Sequence, residues 1–208
     1  MFLEMIKSIV LGIVEGISEW LPISSTGHMI LVNELINNTE GFTASDLYLY
    51  VIQLGAILAV VTLYFHKLNP FSPKKTNVEK ENTWKMWFKV IIACVPAVVI
   101  GLVLDNFMSA WENWQVVSAM LILYGVAFIV VESLHKETKI ESMDDMTYKT
   151  ALLIGLFQVL SIVPGTSRSG ATILGAMLIG CSRSVAAEFS FFLAIPVMFG
   201  VSLLKVLK

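Results

Sequence analysis

The sequence predicts an all-α polytopic membrane protein formed by a single integral membrane domain, residues 1–208. Hydrophobic residues make up 56% of the chain and charged residues only 14%, whereas about 25% of a soluble domain is charged. Apolar runs of bilayer length alternate with short polar loops. The net charge of −2 comes without a basic stripe, so membrane lipids are the expected surroundings and nucleic acid is not an expected partner.

The first apolar segment is broken. Residues 1–21 and 27–36 each have a helical pattern, but 22–26 interrupt them, and neither half is a clean span of about 20 residues. Pro22 should end the first helix, and the hydroxyl residues after it can cap a new helix starting near Gly27 or His28. This pattern predicts a re-entrant hairpin.

Three apolar spans follow, at Leu47–Phe65, Met86–Leu104 and Val116–Val131. The loop between the first two contains the densest run of lysines in the chain. The positive-inside rule predicts that this loop is cytoplasmic, which puts the first hairpin on the extracytoplasmic side.

A second broken segment repeats the first. Residues 150–163 are apolar, 164–170 interrupt them and 171–181 resume, before a last span at Phe189–Leu204. We interpret this as an internal repeat of about 142 residues, with a first copy at 1–142 and an incomplete second copy at 143–208. An odd number of crossings separates the hairpins, which predicts an inverted-topology repeat whose two hairpins meet near the membrane midplane. The matched positions are Gly12, Glu15, Ser18 and Pro22 with Gly155, Gln158, Ser161 and Pro164.

The first break gathers acids, hydroxyls and an imidazole. Glu15 and Glu19 stand four residues apart, so on a helix they project from one face. Together they could hold a divalent cation against a phosphorylated ligand, Mg²⁺ first, with Ca²⁺ or Mn²⁺ as alternatives. A serine or histidine would attack phosphorus or activate water. The candidates are Ser24, Ser25, Thr26 and His28.

The second break supplies a cation. Arg168 has a fork of donors suited to phosphate oxygens, and the following helix directs the positive end of its dipole to the same place. An arginine at membrane depth costs about 2.5 kcal/mol or more, which favours a functional role. The alternative is an ion pair with Glu15 or Glu19 that only locks the fold. The surrounding hydroxyls are Thr166, Ser167, Ser169 and Thr172.

These motifs resemble the signature blocks of the undecaprenyl-diphosphate phosphatase family linked to bacitracin resistance. The blocks are Glu15-x-x-x-Glu19, the run from Leu21 to His28 and the run from Pro164 to Thr172. The resemblance implies a hydrolase of the bacterial plasma membrane that removes the terminal phosphate from the C55 isoprenoid diphosphate. That reaction regenerates the lipid carrier for peptidoglycan synthesis, and the family's active site opens to the extracytoplasmic side.

The resemblance also implies residue roles. Glu15 and Glu19 become metal-binding or water-activating residues, and Arg168 binds phosphate with Ser167 and Thr172 beside it. Ser25 is the preferred nucleophile, with His28 as general acid/base or as the rival nucleophile.

Members of that family usually continue with two more spans, the same two that the second repeat lacks. The chain is therefore expected to be either truncated or a minimal variant whose bundle closes in another way, for instance by forming a homo-oligomer.

Two other functions remain open from the sequence. Broken helices in inverted repeats are also a transporter architecture, so a flippase could bind the same anionic lipid. An inactive scaffold would bind the lipid without releasing phosphate. Transport that leaves the phosphate count unchanged, or stabilisation by ligand without turnover, would identify these two alternatives.

Overall fold

The structure, a computed structural model, describes residues 2–38, 41–108, 114–134 and 137–207. Within these ranges the regular secondary structure is helical. Short 3₁₀ helices at Phe42–Ala44 and Leu160–Ile162 supplement the α-helices. The α-helices are α1 (Phe2–Ser18), α2 (Ser25–Leu35), α3 (Asp46–Leu63), α4 (Phe65–Leu68), α5 (Asn77–Met108), α6 (Trp114–Ser133), α7 (Tyr148–Val159), α8 (Arg168–Ile179) and α9 (Arg183–Leu207).

The helices confirm the predicted all-α membrane protein. Three of them are long and apolar enough to cross a bilayer, over Asn77–Leu104, Gln115–Ser133 and Arg183–Leu204. The predicted span at Leu47–Phe65 is also a helix, although its apolar part, Leu47–Leu63, is shorter than those three. Both predicted breaks are present, between α1 and α2 and between α7 and α8.

Two helices begin before the predicted membrane spans, because local capping extends them towards the N-terminus. Helix α5 begins at Asn77 rather than near Met86. Thr76 and Glu79 form a capping box there, in which the Glu79 carboxylate accepts from the Thr76 amide at 2.7 Å and the Thr76 hydroxyl accepts from the Glu79 amide at 3.3 Å. Helix α9 begins at Arg183 rather than near Phe189, and the Ser182 hydroxyl accepts from the Val185 amide at 3.3 Å.

The first break also differs from its prediction. Helix α1 ends at Ser18, before Pro22 is reached. The Ser18 hydroxyl donates to the Val14 carbonyl at 2.7 Å, a local bond that competes with the helical ladder. Helix α2 starts at Ser25 rather than at Gly27 or His28, because Ser24 is its N-cap. The break is therefore slightly earlier than predicted, and Glu19 lies within it.

Helix α9 lies at the centre of the main hydrophobic core. Its Phe189, Phe192 and Leu193 are fully buried, and they belong to one cluster with Ile57 of α3 and Ile154 of α7. The cluster also includes residues of α5 and α8. Burial of large apolar side chains contributes about 1.5–3 kcal/mol each, so this core fixes the start of α8 against α9.

A smaller cluster attaches the first hairpin. Leu11 of α1, Met29 of α2 and Tyr48 of α3 are buried against one another. The Tyr48 hydroxyl also donates to the Ser8 carbonyl at 2.9 Å. Helices α1 and α2 are thereby held on α3, which brings the first break to the same region as the second.

The second hairpin is packed more tightly than the first. Gly155 of α7 lies directly against the backbone of Ala93 in α5, so a Cβ at Gly155 would collide with it. Gly12 of α1, which the predicted repeat pairs with Gly155, has open space at the position of a Cβ. Helix α7 can therefore approach α5 closely only because residue 155 has no side chain.

Candidate active site

The two breaks meet at a pocket of about 200 Å³. Helices α2 and α8 both begin in its wall, since their first residues, Ser25 and Arg168, line it. The positive ends of two helix dipoles therefore converge on one cavity, an arrangement that favours an anion. The lining residues are Glu19, Ser24, Ser25, Thr26, Gln53, Ser161, Thr166, Ser167, Arg168, Ser169, Val197, Met198 and Val201.

Glu19 connects the two breaks. Its Oε1 accepts a hydrogen bond from Arg168 Nη2 at 2.6 Å, and its Oε2 accepts one from Ser25 Oγ at 2.6 Å. The side chains of Arg168 and Glu19 are 15% and 9% exposed. The ion pair that the sequence offered as a fold lock does form with Glu19, and it forms in the pocket wall, where it can also serve a ligand.

Arg168 is held from a second side. Its Nη1 donates to the Ser190 carbonyl at 3.1 Å, and its Nη2 lies 3.5 Å from the Met198 sulfur. Both partners belong to α9, at the edge of the main core. The guanidinium therefore has a fixed plane, which suits bidentate binding of a phosphoryl group.

The hydroxyls of the second break divide into two groups. Ser167 caps α8, its Oγ accepting from the Gly170 amide at 3.1 Å, and Ser169 Oγ donates to the Leu21 carbonyl at 3.3 Å. Both line the pocket with Thr166. Thr172 is fully buried behind the wall, where its hydroxyl bonds the Arg168 carbonyl at 3.0 Å and the Ser190 hydroxyl at 2.7 Å.

The first break supplies three lining hydroxyls. Ser24 caps α2 with a positive φ of 66°, and its Oγ accepts from the Gly27 amide at 3.4 Å. Ser25 and the exposed Thr26 follow it. His28 is one turn further along α2, outside the set of lining residues, and its Nδ1 lies 2.9 Å from the Ser24 carbonyl. Because a carbonyl only accepts, Nδ1 carries the proton there and Nε2 remains free to accept one.

Glu15 lies behind Glu19 rather than in the pocket wall. It is 1% exposed, and its Oε1 has no hydrogen-bond partner among the described residues. Gln158 of α7, which the predicted repeat pairs with Glu15, is equally buried, and neither its amide nitrogen nor its oxygen has a partner within that same part of the chain. Unpaired buried polar atoms are costly, which makes Glu15 a candidate for holding a positive group.

The described residues do not form a closed metal cage, and Glu15 and Glu19 are the carboxylates that a cation at this site would use. The described ranges contain no group of three or more His, Cys, Asp and Glu side chains that could hold a metal ion. The unpaired Glu15 oxygen offers one ligand position. Both oxygens of Glu19 are hydrogen-bonded, although a carboxylate has further lone pairs. One or two carboxylates combined with substrate phosphate oxygens is a common set for Mg²⁺.

Sequence reasoning missed several wall residues. Gln53 of α3 and Ser161 line the pocket, and Ser190 supports Arg168 and Thr172. Each is a polar residue within an apolar stretch, and that signal could have identified it. Val197, Met198 and Val201 also line the pocket, but no sequence signal separates them from core residues.

Comparison with known proteins identifies the family of this chain. The profile of the bacitracin resistance protein BacA matches residues 8–208. An undecaprenyl-diphosphatase of Enterococcus faecalis is 59% identical over all of this chain and 76% of its own length. Enzymes of the same name from Limosilactobacillus fermentum and Streptococcus thermophilus are 61% and 57% identical over 99% of the chain and 76% and 73% of their own lengths. This chain belongs to the BacA family of bacitracin resistance proteins.

Proposed function

We propose that the chain is an undecaprenyl-diphosphatase, a membrane hydrolase that dephosphorylates undecaprenyl diphosphate and thereby confers bacitracin resistance. Curated enzymes of that name share 56–61% identity with almost the whole chain. The main structural support for this chemistry is the hydrogen-bonded arrangement of Arg168, Glu19 and Ser25, which lies in a pocket between two helix N-termini. It combines a phosphate-binding cation, an acceptor for a proton and a hydroxyl nucleophile.

Substrate binding would begin at Arg168. Its guanidinium and the N-terminal amides of α2 and α8 would hold the diphosphate oxygens, since all lie around one cavity. The apolar face of the pocket, formed by α9, suits the first part of the isoprenoid chain. Thr172 would act indirectly by fixing the Arg168 backbone. The proposed hydroxyl donors to the diphosphate are Ser24, Thr26, Thr166, Ser167 and Ser169.

The chemical step uses the 2.6 Å hydrogen bond between Ser25 and Glu19. As Ser25 Oγ attacks the terminal phosphorus, its proton passes to Glu19 Oε2, and the bond to the bridging oxygen breaks. Undecaprenyl phosphate leaves, and water then attacks the phosphorus of the phosphoserine. The P–Oγ bond breaks, Ser25 Oγ takes back the proton from Glu19, and inorganic phosphate is released. His28 Nε2 is the proposed acceptor for the proton of that water or, in the rival assignment, the nucleophile itself.

A divalent cation, Mg²⁺ with Ca²⁺ or Mn²⁺ as alternatives, is proposed at Glu15 and Glu19. When bound, it would neutralise charge on the diphosphate oxygens. Burial of Glu15 with an unpaired oxygen supports this assignment. Ser25 and Arg168 keep their roles in attack and binding.

The internal repeat, the re-entrant hairpins and the orientation of the chain in the membrane are part of the same proposal. The repeat, residues 1–142 and 143–208, is supported by matching caps, since Ser24 accepts from the Gly27 amide and Ser167 from the Gly170 amide. We propose that each hairpin is re-entrant and that the copies are inverted. The chain then lies in the bacterial plasma membrane with its pocket open to the extracytoplasmic side. Homo-oligomerisation stays a prediction.

The decisive experiment measures phosphate release from undecaprenyl diphosphate by the chain in detergent, with Mg²⁺ and then with a chelator. We expect metal-dependent release that Arg168→Ala abolishes. Arg183→Ala is the matched control, because Arg183 pairs with Glu132 on the exposed surface, outside the pocket. Movement of intact diphosphate across vesicles without phosphate release would replace the hydrolase with a flippase.

A further inference from the structure

A second cavity, of about 270 Å³, lies at the lysine-rich loop between α4 and the start of α5. It shares no lining residue with the active-site pocket. Three of its lining side chains are lysines, and only one is a carboxylate. The lining residues are His66, Lys67, Ser72, Lys74, Lys75 and Glu79.

The cavity has a fixed shape. Trp87 Nε1 of α5 donates to the Leu68 carbonyl at 2.8 Å, which ties the loop to the helix. Lys75 Nζ donates to the Lys67 carbonyl at 2.9 Å and to Thr83 Oγ1 at 2.6 Å. The Lys75 ammonium is thus held in place at the wall, with both contacts on the protein side.

The charges of the cavity are unequally compensated. The Glu79 carboxylate is engaged in the capping box with Thr76, and Lys67 pairs with Glu188 at 2.6 Å. Lys74 is exposed, and within the described ranges it forms no ion pair with a carboxylate. Burial lowers the pKa of Lys75, since desolvation disfavours its charged form. An anion bound between Lys74 and Lys75 would stabilise both ammonium groups.

Aromatic residues fix the depth of this cavity in the membrane. Phe71, 77% exposed, meets Trp84 edge to face at 5.7 Å, and Trp84 is itself 44% exposed. Trp84 also lies 6.5 Å from Phe88, one turn along α5. Exposed tryptophans beside a span lie at the headgroup level of a bilayer. We therefore expect the lysines of the cavity to lie at the level of lipid phosphates.

We propose that this cavity binds a phosphate group, supplied by the headgroup of an anionic phospholipid. The fixed ammonium of Lys75, the exposed ammonium of Lys74, the Ser72 hydroxyl and the aromatic anchors carry the proposal. Basic pockets beside membrane helices recognise anionic headgroups in this way. The site is independent of the proposed hydrolase activity, because it uses none of the same residues.

The test compares two single-charge variants, Lys74→Gln inside the cavity and Lys80→Gln outside it. Each purified chain, in nanodiscs of phosphatidylcholine mixed with phosphatidylglycerol, is analysed by native mass spectrometry for retained phosphatidylglycerol. We expect about fivefold weaker retention for Lys74→Gln, as one lysine contact near an anionic surface is worth about 1 kcal/mol, and wild-type retention for Lys80→Gln. Thermal unfolding of both variants checks their folding.

A second arm distinguishes the source of the phosphate. Inorganic phosphate is added to the chain in zwitterionic detergent, and its effect on Tm is compared with that of added phosphatidylglycerol. A shift with the lipid alone, lost in Lys74→Gln, supports the headgroup, whereas an equal shift with inorganic phosphate supports a free-anion site. Equal loss of retention in both variants, or no shift with either ligand, overturns the proposal.

Discussion

The two breaks have the same local backbone arrangement, but they present different side chains to the pocket. In each, a serine caps the second helix and accepts from the amide of a glycine three residues later, Ser24 with Gly27 and Ser167 with Gly170. The residue after the cap is Ser25 in the first break and Arg168 in the second. Equivalent backbone positions therefore supply the proposed nucleophile on one side of the pocket and the phosphate-binding cation on the other.

This difference shows how two similar backbone breaks can build an asymmetric site. Both breaks have the same backbone features, an interrupted helix and a capped helix start. These features place a helix N-terminus at the pocket from each side. The side chains at those positions differ, a serine in one break and an arginine in the other, and the proposed reaction uses one as nucleophile and the other as cation. Glu15 and Gln158 show the same contrast, since both are buried without a complete set of partners and only Glu15 is ionisable.

The largest expected effect comes from removing the cation. Arg168→Gln should lower activity about 1,000-fold or more, the range measured for arginines that stabilise phosphoryl transfer. It should also destabilise the fold by about 3–5 kcal/mol, because Glu19 is left buried without its partner. Phosphate release and thermal unfolding in detergent measure the two effects.

The double variant Glu19→Gln/Arg168→Gln separates them. We expect it to recover most of the lost stability, since two neutral amides replace the pair, and to stay inactive. A double variant as unstable as Arg168→Gln alone would mean that the ion pair is not the source of the instability.

The next effect tests the first break. Ser25→Ala should reduce turnover about 100-fold to 10,000-fold, because the hydroxyl that Glu19 accepts from is lost. Ser24→Ala is the matched control on the adjacent residue, and losing this cap should cost about 1 kcal/mol of stability with a much smaller loss of turnover. Single-turnover phosphate release compares the two. Near-normal turnover in Ser25→Ala would transfer the attack to His28 or to water.

A third effect concerns packing and compares equivalent glycines. Gly155→Ala should destabilise the fold by about 1–3 kcal/mol, because the added Cβ meets the Ala93 backbone. Gly12→Ala has open space and should be neutral or stabilising by up to about 1 kcal/mol through helix propensity. Thermal unfolding of both variants measures the difference. Equal destabilisation would contradict the conclusion that the second hairpin packs more tightly than the first.

The smallest effect concerns the buried acid. Glu15→Gln makes the first half resemble the second and should raise the Mg²⁺ concentration for half-maximal activity about tenfold. Gln158→Glu adds a carboxylate to the other half and should leave that concentration unchanged while lowering the Tm. Activity titrated with Mg²⁺ measures both. An unchanged requirement in Glu15→Gln would remove Glu15 from the proposed cation site.

Sequence alone predicted the two breaks from local signals, and it predicted that Glu19, Ser25 and Arg168 lie near one another from the proposed repeat. Proline and hydroxyl residues mark a break, and the spacing of the repeat brings the halves together. The exact helix ends depend on weaker hydrogen bonds, such as Ser18 to the Val14 carbonyl. The residue pattern alone does not show that the Ser18 hydroxyl competes with the helical backbone for the Val14 carbonyl.

The remaining parts of the site depend on tertiary packing. Gln53 reaches the pocket only because α3 packs on α9, and Thr172 is withdrawn from it by its bond to Ser190. His28 is in the predicted motif, yet one helical turn moves it outside the lining. Such positions follow from helix rotation, which motif spacing along the chain does not determine.

The Arg168–Glu19 bond joins residues 149 positions apart, and this separation sets the order of biogenesis. Glu19 leaves the ribosome long before Arg168, so the nascent first hairpin holds an acid without its cation until α8 is inserted. Contacts between such distant residues close late, after the loop between them has been ordered. The pocket is therefore expected to form only after α8 and α9 are in place, later than the contacts within the first hairpin.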